Sequence, residues 1–266
     1  MKKIATLLLA LCLFICIPAT TAFAAAAPCP TVTVTIADDN GKLVLKQEQV
    51  QLTDTDNDGK LTLNDVLYAT HEKCYTGGAA AGYKSENGAY GLMLTKLWGV
   101  ENGGSYGYYL NNKAASSLAD EVKDGDCITA FVYTDLKNYS DTYCFFDVNT
   151  VSCKTGEDVT LTLMAAGFDE NWQPITVPVK GASILLDGEK TDFVTDENGK
   201  VTFSVDKAGS YTVSAKSATA TLVPPLCVMN AAKDNTVAII VAASVAAATI
   251  LVCAGIVIVR KQKKKG

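Results

Sequence analysis

Arginine and histidine are almost missing from this sequence. The one Arg, Arg260, lies close to the C-terminus, and the one His is His71. Without Arg in its body, the chain has no guanidinium fork for a carboxylate or a phosphate. A Ser-His-Asp or Cys-His enzyme would have to be built around His71, and a zinc site would have a single imidazole to draw on. No CxxC spacing occurs. The Gly-rich stretch 77–82 lacks a P-loop Lys-Ser/Thr and follows a helical pattern, which excludes a phosphate cradle of that kind. Acid is missing from both ends: no Asp or Glu precedes Asp38 or follows Asp234. Lys2, Lys3, Arg260, Lys261, Lys263, Lys264 and Lys265 are end cations. Without them, 16 basic residues face 28 acidic ones, so the interior carries about −12 against −5 for the whole chain. A nucleic-acid partner needs a basic face, and none is present.

What the ends do contain are apolar runs. Residues 1–24 read as a signal peptide, with Lys2-Lys3 before the run Ile4 to Pro18 and Ala22-Phe23-Ala24 as the cleavage site. Thr236 to Val259 is 24 uncharged residues, roughly 36 Å of helix, enough to cross a hydrocarbon core of about 30 Å. The basic tail 260–266 keeps that end inside. The expectation is a single C-terminal transmembrane helix at 236–259, a type I single-pass cell-membrane protein of a bacterium, and an ectodomain outside. Leu222-Val223-Pro224-Pro225-Leu226 does not match the LPxTG motif of sortase-anchored proteins, so a retained helix is the expected anchor.

Six of the nine cysteines lie in the expected ectodomain: Cys29, Cys74, Cys127, Cys144, Cys153 and Cys227. An even number in an oxidising compartment predicts disulfide bonds.

Two modules follow from periodicity. In residues 31–135, Thr31 to Ile36 alternates as a β-branched strand, Leu43 to Leu52 reads as a second, and Leu63, Val66, Leu67 and Thr70 mark one face of a helix over 63–72. A Gly/Ala loop at 77–82 and strands near 91–97, 106–110 and 127–133 complete an α+β module of β-grasp type. Residues 143–224 alternate without helical periodicity, at Val159 to Leu163, Ser183 to Leu186, Val201 to Val205 and Tyr211 to Ala215, with turns at Asp187-Gly188 and Asn198-Gly199. That pattern predicts an all-β sandwich. Gly209-Ser210-Tyr211 is similar to a tyrosine corner, in which the phenol ties back to the backbone. The stretch 195–215 resembles bacterial immunoglobulin-like surface repeats, which implies an Ig-like spacer. Residues 225–235 read as a linker. In an Ig-like sandwich the first strand's second half runs parallel to the last strand, which favours Cys153–Cys227. Parallel first and last strands of a β-grasp favour Cys29–Cys127, leaving Cys74–Cys144, with Cys74–Cys127 as the alternative.

The sharpest motif is Asp54-Thr-Asp56-Asn-Asp58-Gly59-Lys60-Leu61-Thr62-Leu63-Asn64-Asp65. It fits a twelve-residue Ca²⁺ loop: Asp54, Asp56 and Asp58 at alternate positions, Gly59 for the turn, the Lys60 carbonyl, Thr62, and Asp65 closing the shell. Position 12 is Asp rather than Glu, the residues before the loop read as strand, and only one loop is present. These departures point to a structural half-site. The plainer alternative is an acidic turn with Thr62 capping the helix and Asp65 near its positive end. A hydrolase would need two close carboxylates in a cleft. The only dense group is in this loop, so the chain is not expected to be an enzyme.

Eight of 21 aromatics fall in residues 68–109: Tyr68, Tyr75, Tyr83, Tyr90, Trp98, Tyr106, Tyr108 and Tyr109. Trp98, Tyr106, Tyr108 and Tyr109 are candidates for a ligand-binding surface, with core packing as the alternative. Asp65-Val-Leu with His71-Glu72, Gly77-Gly-Ala-Ala80, Gly91 to Gly99, Tyr106 to Asn112 and Val122 to Asp126 together resemble the DUF4430 domains of Firmicute surface proteins. Those are similar to the C-terminal domain of transcobalamin and intrinsic factor. The resemblance implies the fold of the first module. The animal proteins hold cobalamin against a large α-helical barrel, and no such barrel fits in this chain. The expected function is a calcium-stabilised, membrane-anchored extracellular binding or adhesion protein, whose ligand is a protein, a glycan or a small molecule. The alternative is a cell-surface accessory that captures cobalamin or another small molecule for a transporter.

Overall fold

The computed structural model describes residues 30–89, 91–101, 103 and 105–234. The expected signal peptide, the transmembrane helix 236–259, the basic tail and Cys29 lie outside the described residues. Among these, no helix is long and apolar enough to cross a membrane. The described chain is mostly β, with two short helices.

The first module contains β1 (Thr31–Ala37), β2 (Leu43–Gln51), α1 (Leu63–Cys74), α2 (Gly78–Gly82), β3 (Lys84–Gly88), β4 (Gly91–Lys96), β5 (Tyr106–Leu110), β6 (Lys113–Ala114) and β7 (Cys127–Val132). Five strands form a mixed sheet in the order β2-β1-β7-β5-β6, and β3-β4 form a separate hairpin. β1 and β7 run parallel, with Thr33 opposite Cys127 and Ala37 opposite Phe131. The face of α1 formed by Leu63, Val66, Leu67 and Thr70 is buried. It packs with Val32, Val34, Val50 and Ile128 in one apolar core. The Gly/Ala stretch expected as a loop contains α2 instead. Gly77, at φ +92°, turns the chain into it, and the Ala79 N–H donates to the Glu72 carboxylate at 3.0 Å.

The second module contains β8 (Thr142–Phe146), β9 (Thr150–Lys154), β10 (Val159–Phe168), β11 (Pro174–Pro178), β12 (Ser183–Leu186), β13 (Glu189–Val194), β14 (Lys200–Phe203), β15 (Gly209–Lys216), β16 (Leu222–Val223) and β17 (Cys227–Ala232). One sheet runs β11-β10-β8-β16 with β14 also on β10, and the other runs β13-β12-β15-β17-β9. Alternate residues from both, such as Phe146, Leu161, Leu163, Ile184, Phe203, Val213 and Met229, form the core between them. The Tyr211 hydroxyl donates to the Lys207 carbonyl at 2.7 Å, the backbone tie expected at that corner.

The expected linker 225–235 is corrected here. Residues 227–232 form β17, which lies between β15 and β9 and alternates buried with less buried residues. Pro224-Pro225 interrupts the last strand rather than ending the module. β9 and β17 do run parallel, but their register places Cys153 opposite Ala231. Cys227 is four residues back along β17, about 13 Å at 3.3 Å per residue, beyond the reach of a disulfide. Cys74, Cys127, Cys144, Cys153 and Cys227 are not joined to one another, so the expected Cys74–Cys144, Cys74–Cys127 and Cys153–Cys227 bridges are not formed, and Cys29–Cys127 lies partly outside the described residues.

Aromatic rings join the modules. Tyr109 stacks on Tyr143 with ring centres 3.7 Å apart, and Phe131 lies near-parallel to Tyr143 at 6.3 Å. Ala37, Phe131, Tyr143 and Val223 form the buried centre of this junction, flanked by Tyr133 and Phe145. Gln47, at φ +47° in an irregular stretch of β2, reaches across and donates to the Asn149 carbonyl at 2.8 Å. The connector is also tied down. Asp141 accepts from Thr134 and Asp135, and Asp135 accepts from Lys137, Asn138 and Ser140. These bonds hold the Asp135 carboxyl at about 2, below its ordinary value.

Candidate functional site

The acidic loop lies between β2 and α1. Asp54, Asp56 and Asp58 each offer a carboxylate oxygen within 4.8 Å of the others. The loop's own backbone arranges them. Asp54 accepts from the N–H groups of Asn57 at 2.7 Å and Gly59 at 2.9 Å, and Asp58 accepts from Lys60 at 2.8 Å. Asn57 and Gly59 take positive φ, as so tight a turn requires. Partial desolvation and the charges of Asp58, Asp65 and Asp54 push the Asp56 carboxyl up from its ordinary value. A hard cation would relieve this crowding of like charge, so the donor chemistry fits Ca²⁺.

Asp65 is not part of that trio. It is buried, and both its oxygens are taken: one accepts from the Thr55 N–H and hydroxyl, the other from the Thr62 N–H and hydroxyl, all at 2.6–3.0 Å. Burial raises its carboxyl, and the four hydrogen bonds outweigh burial and hold it below the usual value. Thr62 and Asp65 form the reciprocal capping box of α1. The expected six-residue ligand set thus divides. The three aspartates come together with Lys60 beside them, while Thr62 and Asp65 hold the loop to the helix.

The expected aromatic surface divides as well. Tyr106 is buried, with its hydroxyl between the Thr95 and Val100 carbonyls at 2.8 and 2.9 Å. Tyr108 and Trp98 pack against the core of the first module. Tyr109 belongs to the junction. Trp98 closes a small cluster, its N–H donating to His71 Nε2 at 3.0 Å and its ring contacting His71 and Tyr75. His71 Nδ1 donates to the Leu67 carbonyl at 2.6 Å, so both ring nitrogens are engaged. Burial drives the His71 pKa down to about 4, against a smaller upward pull from the Leu67 bond. These four residues form no common platform, because a small Gly-rich module needs large rings to fill its core.

Exposed aromatics occur elsewhere, where periodicity gave no signal. Trp172 is 80% exposed and Phe168 54%, at the end of the β10–β11 hairpin, with ring centres 6.3 Å apart. Asp169 orders that turn, accepting from Asn171 at 2.9 Å and Gln173 at 2.8 Å. Trp172 sits at φ +60°, a region bulky side chains rarely adopt. Beside this hairpin, a groove of about 520 Å³ runs between β5–β6 and β10–β11.

No protein-family model matches the chain, and no curated protein is similar to it. Among solved structures it is similar to the N-terminal four Ig domains of Dscam1. Isoform 7.44 matches at 12% identity over 77% of this chain and 45% of that one, with a TM-score of 0.22. Isoform 6.9 matches at 12% identity over 57% and 36%, also with a TM-score of 0.22. The chain spans less than half the length of these structures, and a likeness so distant carries no argument. The fold rests on the strand pairing itself.

Proposed function

We propose that this chain is a membrane-anchored, non-catalytic binding protein that displays its two modules outside the cell. The signal-like and membrane-helix-like ends carry the localisation. Parallel pairing of β1 with β7 supports a β-grasp, DUF4430-like first module, and the two packed sheets with the Tyr211 tie support an Ig-like second. The observation that carries calcium stabilisation is the convergence of the Asp54, Asp56 and Asp58 oxygens within 4.8 Å at the strand-to-helix turn. The Lys60 carbonyl and water would complete the shell. Extracellular calcium modules bind at about 10⁻⁴–10⁻³ M, so millimolar calcium fills such a site.

The test is thermal unfolding with and without millimolar calcium, on the wild type and on Asp54→Asn with Asp58→Asn. The midpoint rises by a few degrees in the wild type alone. At ten times Kd the gain is about 1.4 kcal/mol. An unchanged wild-type midpoint would remove the metal from the account. The second reading, capture of a small molecule for a transporter, is favoured by the groove of about 520 Å³ between the modules.

A further inference from the structure

Three turns of this chain are built alike, and one breaks a rule that the other two keep. Asp38-Asp-Asn-Gly-Lys42 joins β1 to β2, Asp196-Glu-Asn-Gly-Lys200 joins β13 to β14, and Asp169-Glu-Asn-Trp-Gln173 joins β10 to β11. In each, the N–H of the first Asp donates to the carbonyl of the fifth residue, and the N–H of the fourth donates to the Asp carbonyl, all at 2.8–3.1 Å. In each, the Asp carboxylate accepts from the N–H groups of the third and fifth residues at 2.8–3.0 Å. The fourth residue takes a φ of +60° to +73°, where a side chain is strained. Two turns place glycine there, Gly41 and Gly199, and the third places Trp172. Its ring is 80% exposed, so the strain is not repaid by core packing. The Phe168 ring lies beside it, with centres 6.3 Å apart. A backbone strained to hold a large ring in water marks a binding residue.

The hairpin's chemistry selects the ligand. No Lys or Arg occurs from Met164 to Val179, and the tip carries Asp169 and Glu170, so an anionic ligand or lipid surface is repelled. The fifth residue, Lys in the other two turns, is Gln173 here. Its Nε2 donates to the Asn171 carbonyl at 3.4 Å, which leaves its oxygen and second N–H available beside the exposed Glu170 and Asn171. A partner strand cannot add to β11. Backbone bonds pair Asp169 with Gln173 and Val179 with Leu163, so alternation turns Pro174, Thr176 and Pro178 to the free edge, where only Thr176 has an N–H. Nor do the apolar residues share a face: Phe168 lies opposite Pro174, while Ile175 and Val177, opposite Gly167 and Ala165, point to the other side. A stable protein interface takes about 800 Å² from each partner, which one ring among polar neighbours does not offer. A sugar needs one ring: its C–H face stacks on the indole while its hydroxyls bond carboxylates and amides. β10 starts beside the end of β17, where the Thr155 N–H donates to the Ala232 carbonyl, and its ten residues carry the tip about 30 Å from the expected anchor. We propose that Trp172 is the stacking platform of a neutral-glycan site, with Phe168 beside the ring and Glu170, Asn171 and Gln173 bonding the sugar hydroxyls. The proposal rests on the reading of the protein as an extracellular binder and names the class of molecule it takes.

Trp172→Gly gives this turn the residue of the other two, so it removes the ring without harming the fold. The experiment titrates cellohexaose, maltohexaose and chitohexaose, with hexagalacturonate as the anionic control, calorimetrically into the full chain in lipid nanodiscs, with empty nanodiscs as the blank. At least one neutral sugar binds the wild type, and hexagalacturonate does not. Trp172→Gly weakens that sugar about tenfold or more. It also raises the unfolding midpoint by about 2 °C, because the strain is relieved. Four outcomes overturn the proposal: no neutral sugar binds the wild type, Trp172→Gly binds as well as the wild type, hexagalacturonate binds as tightly as the neutral sugars, or the midpoint of Trp172→Gly does not rise. A wild type that takes no sugar and sediments as a dimer, split by Trp172→Gly, would give the ring to a second copy and also overturn it. Each of these leaves the calcium shift untouched, so failure here is separable from failure of the calcium-loop reading.

Discussion

Each described module contains one tryptophan, and the two are used in opposite ways. Trp98 lies in the segment densest in aromatics and is bonded through its backbone to His71, with its ring against His71 and Tyr75. Trp172 lies in a turn of the sandwich beside Phe168 and is 80% exposed. Most rings of the dense segment therefore fill the small module's core, Tyr68 excepted, while the two rings of the polar turn, Phe168 and Trp172, lie at the surface. The module expected to be a spacer presents Phe168, Trp172, Ile175 and Val177 to solvent.

The largest expected effect comes from breaking the buried side of this contrast. Phe131 is 1% exposed, and its ring lies so close to Gly107 that no side chain fits there. Phe131→Ala should cost about 3–5 kcal/mol in urea unfolding. A loss under about 1 kcal/mol would mean that the junction is not packed as described.

The next effect is set by pH and belongs to the first module. His71 is neutral in the fold because burial lowers its pKa from 6.5 to about 4. The unfolded chain takes up a proton near 6.5, so the stability His71 contributes is complete above that pH and is lost as pH falls through about 4. The full contribution is about 3 kcal/mol. Carboxylates also titrate in this range, so the informative quantity is the difference between wild type and His71→Gln at pH 7 and pH 4.5. Equal pH slopes in the two proteins would contradict the buried neutral ring.

Thr62→Ala removes half of the capping box on α1 and should cost about 1 kcal/mol, more than the average exposed Thr. Trp172→Ala should change stability by less than about 0.5 kcal/mol, since it removes a ring that is mostly in water. A large loss there would place Trp172 in a core and erase the contrast between the modules.

Periodicity made much of this fold legible. The alternation in 31–36 and the Leu63, Val66, Leu67, Thr70 spacing led to β1 and to the buried face of α1. Register was not legible. Parallel β9 and β17 follow from topology, but which residue faces which depends on packing across both sheets, so Cys153 meets Ala231 instead of Cys227. β17 was hidden by Pro224-Pro225, because a double proline reads as the end of a module even when the chain resumes pairing two residues later. In the acidic loop the alternating aspartates were legible. Asp65 stayed open between metal ligand and helix cap, because a carboxylate at the twelfth position of such a loop and at N3 of a helix has the same sequence signature; the cap with Thr62 is formed, and the bonds to Thr55 carried no signal. Trp172 carried no signal, since its prominence depends on the hairpin that projects it.

Collisional quenching of the two tryptophans tests the contrast most directly. Trp98→Phe leaves only Trp172, and Trp172→Phe leaves only Trp98. Acrylamide should quench Trp172 several times more efficiently, with emission at longer wavelength, while Trp98 stays shielded and blue-shifted. Equal quenching, or a Trp98 more accessible than Trp172, would contradict the account.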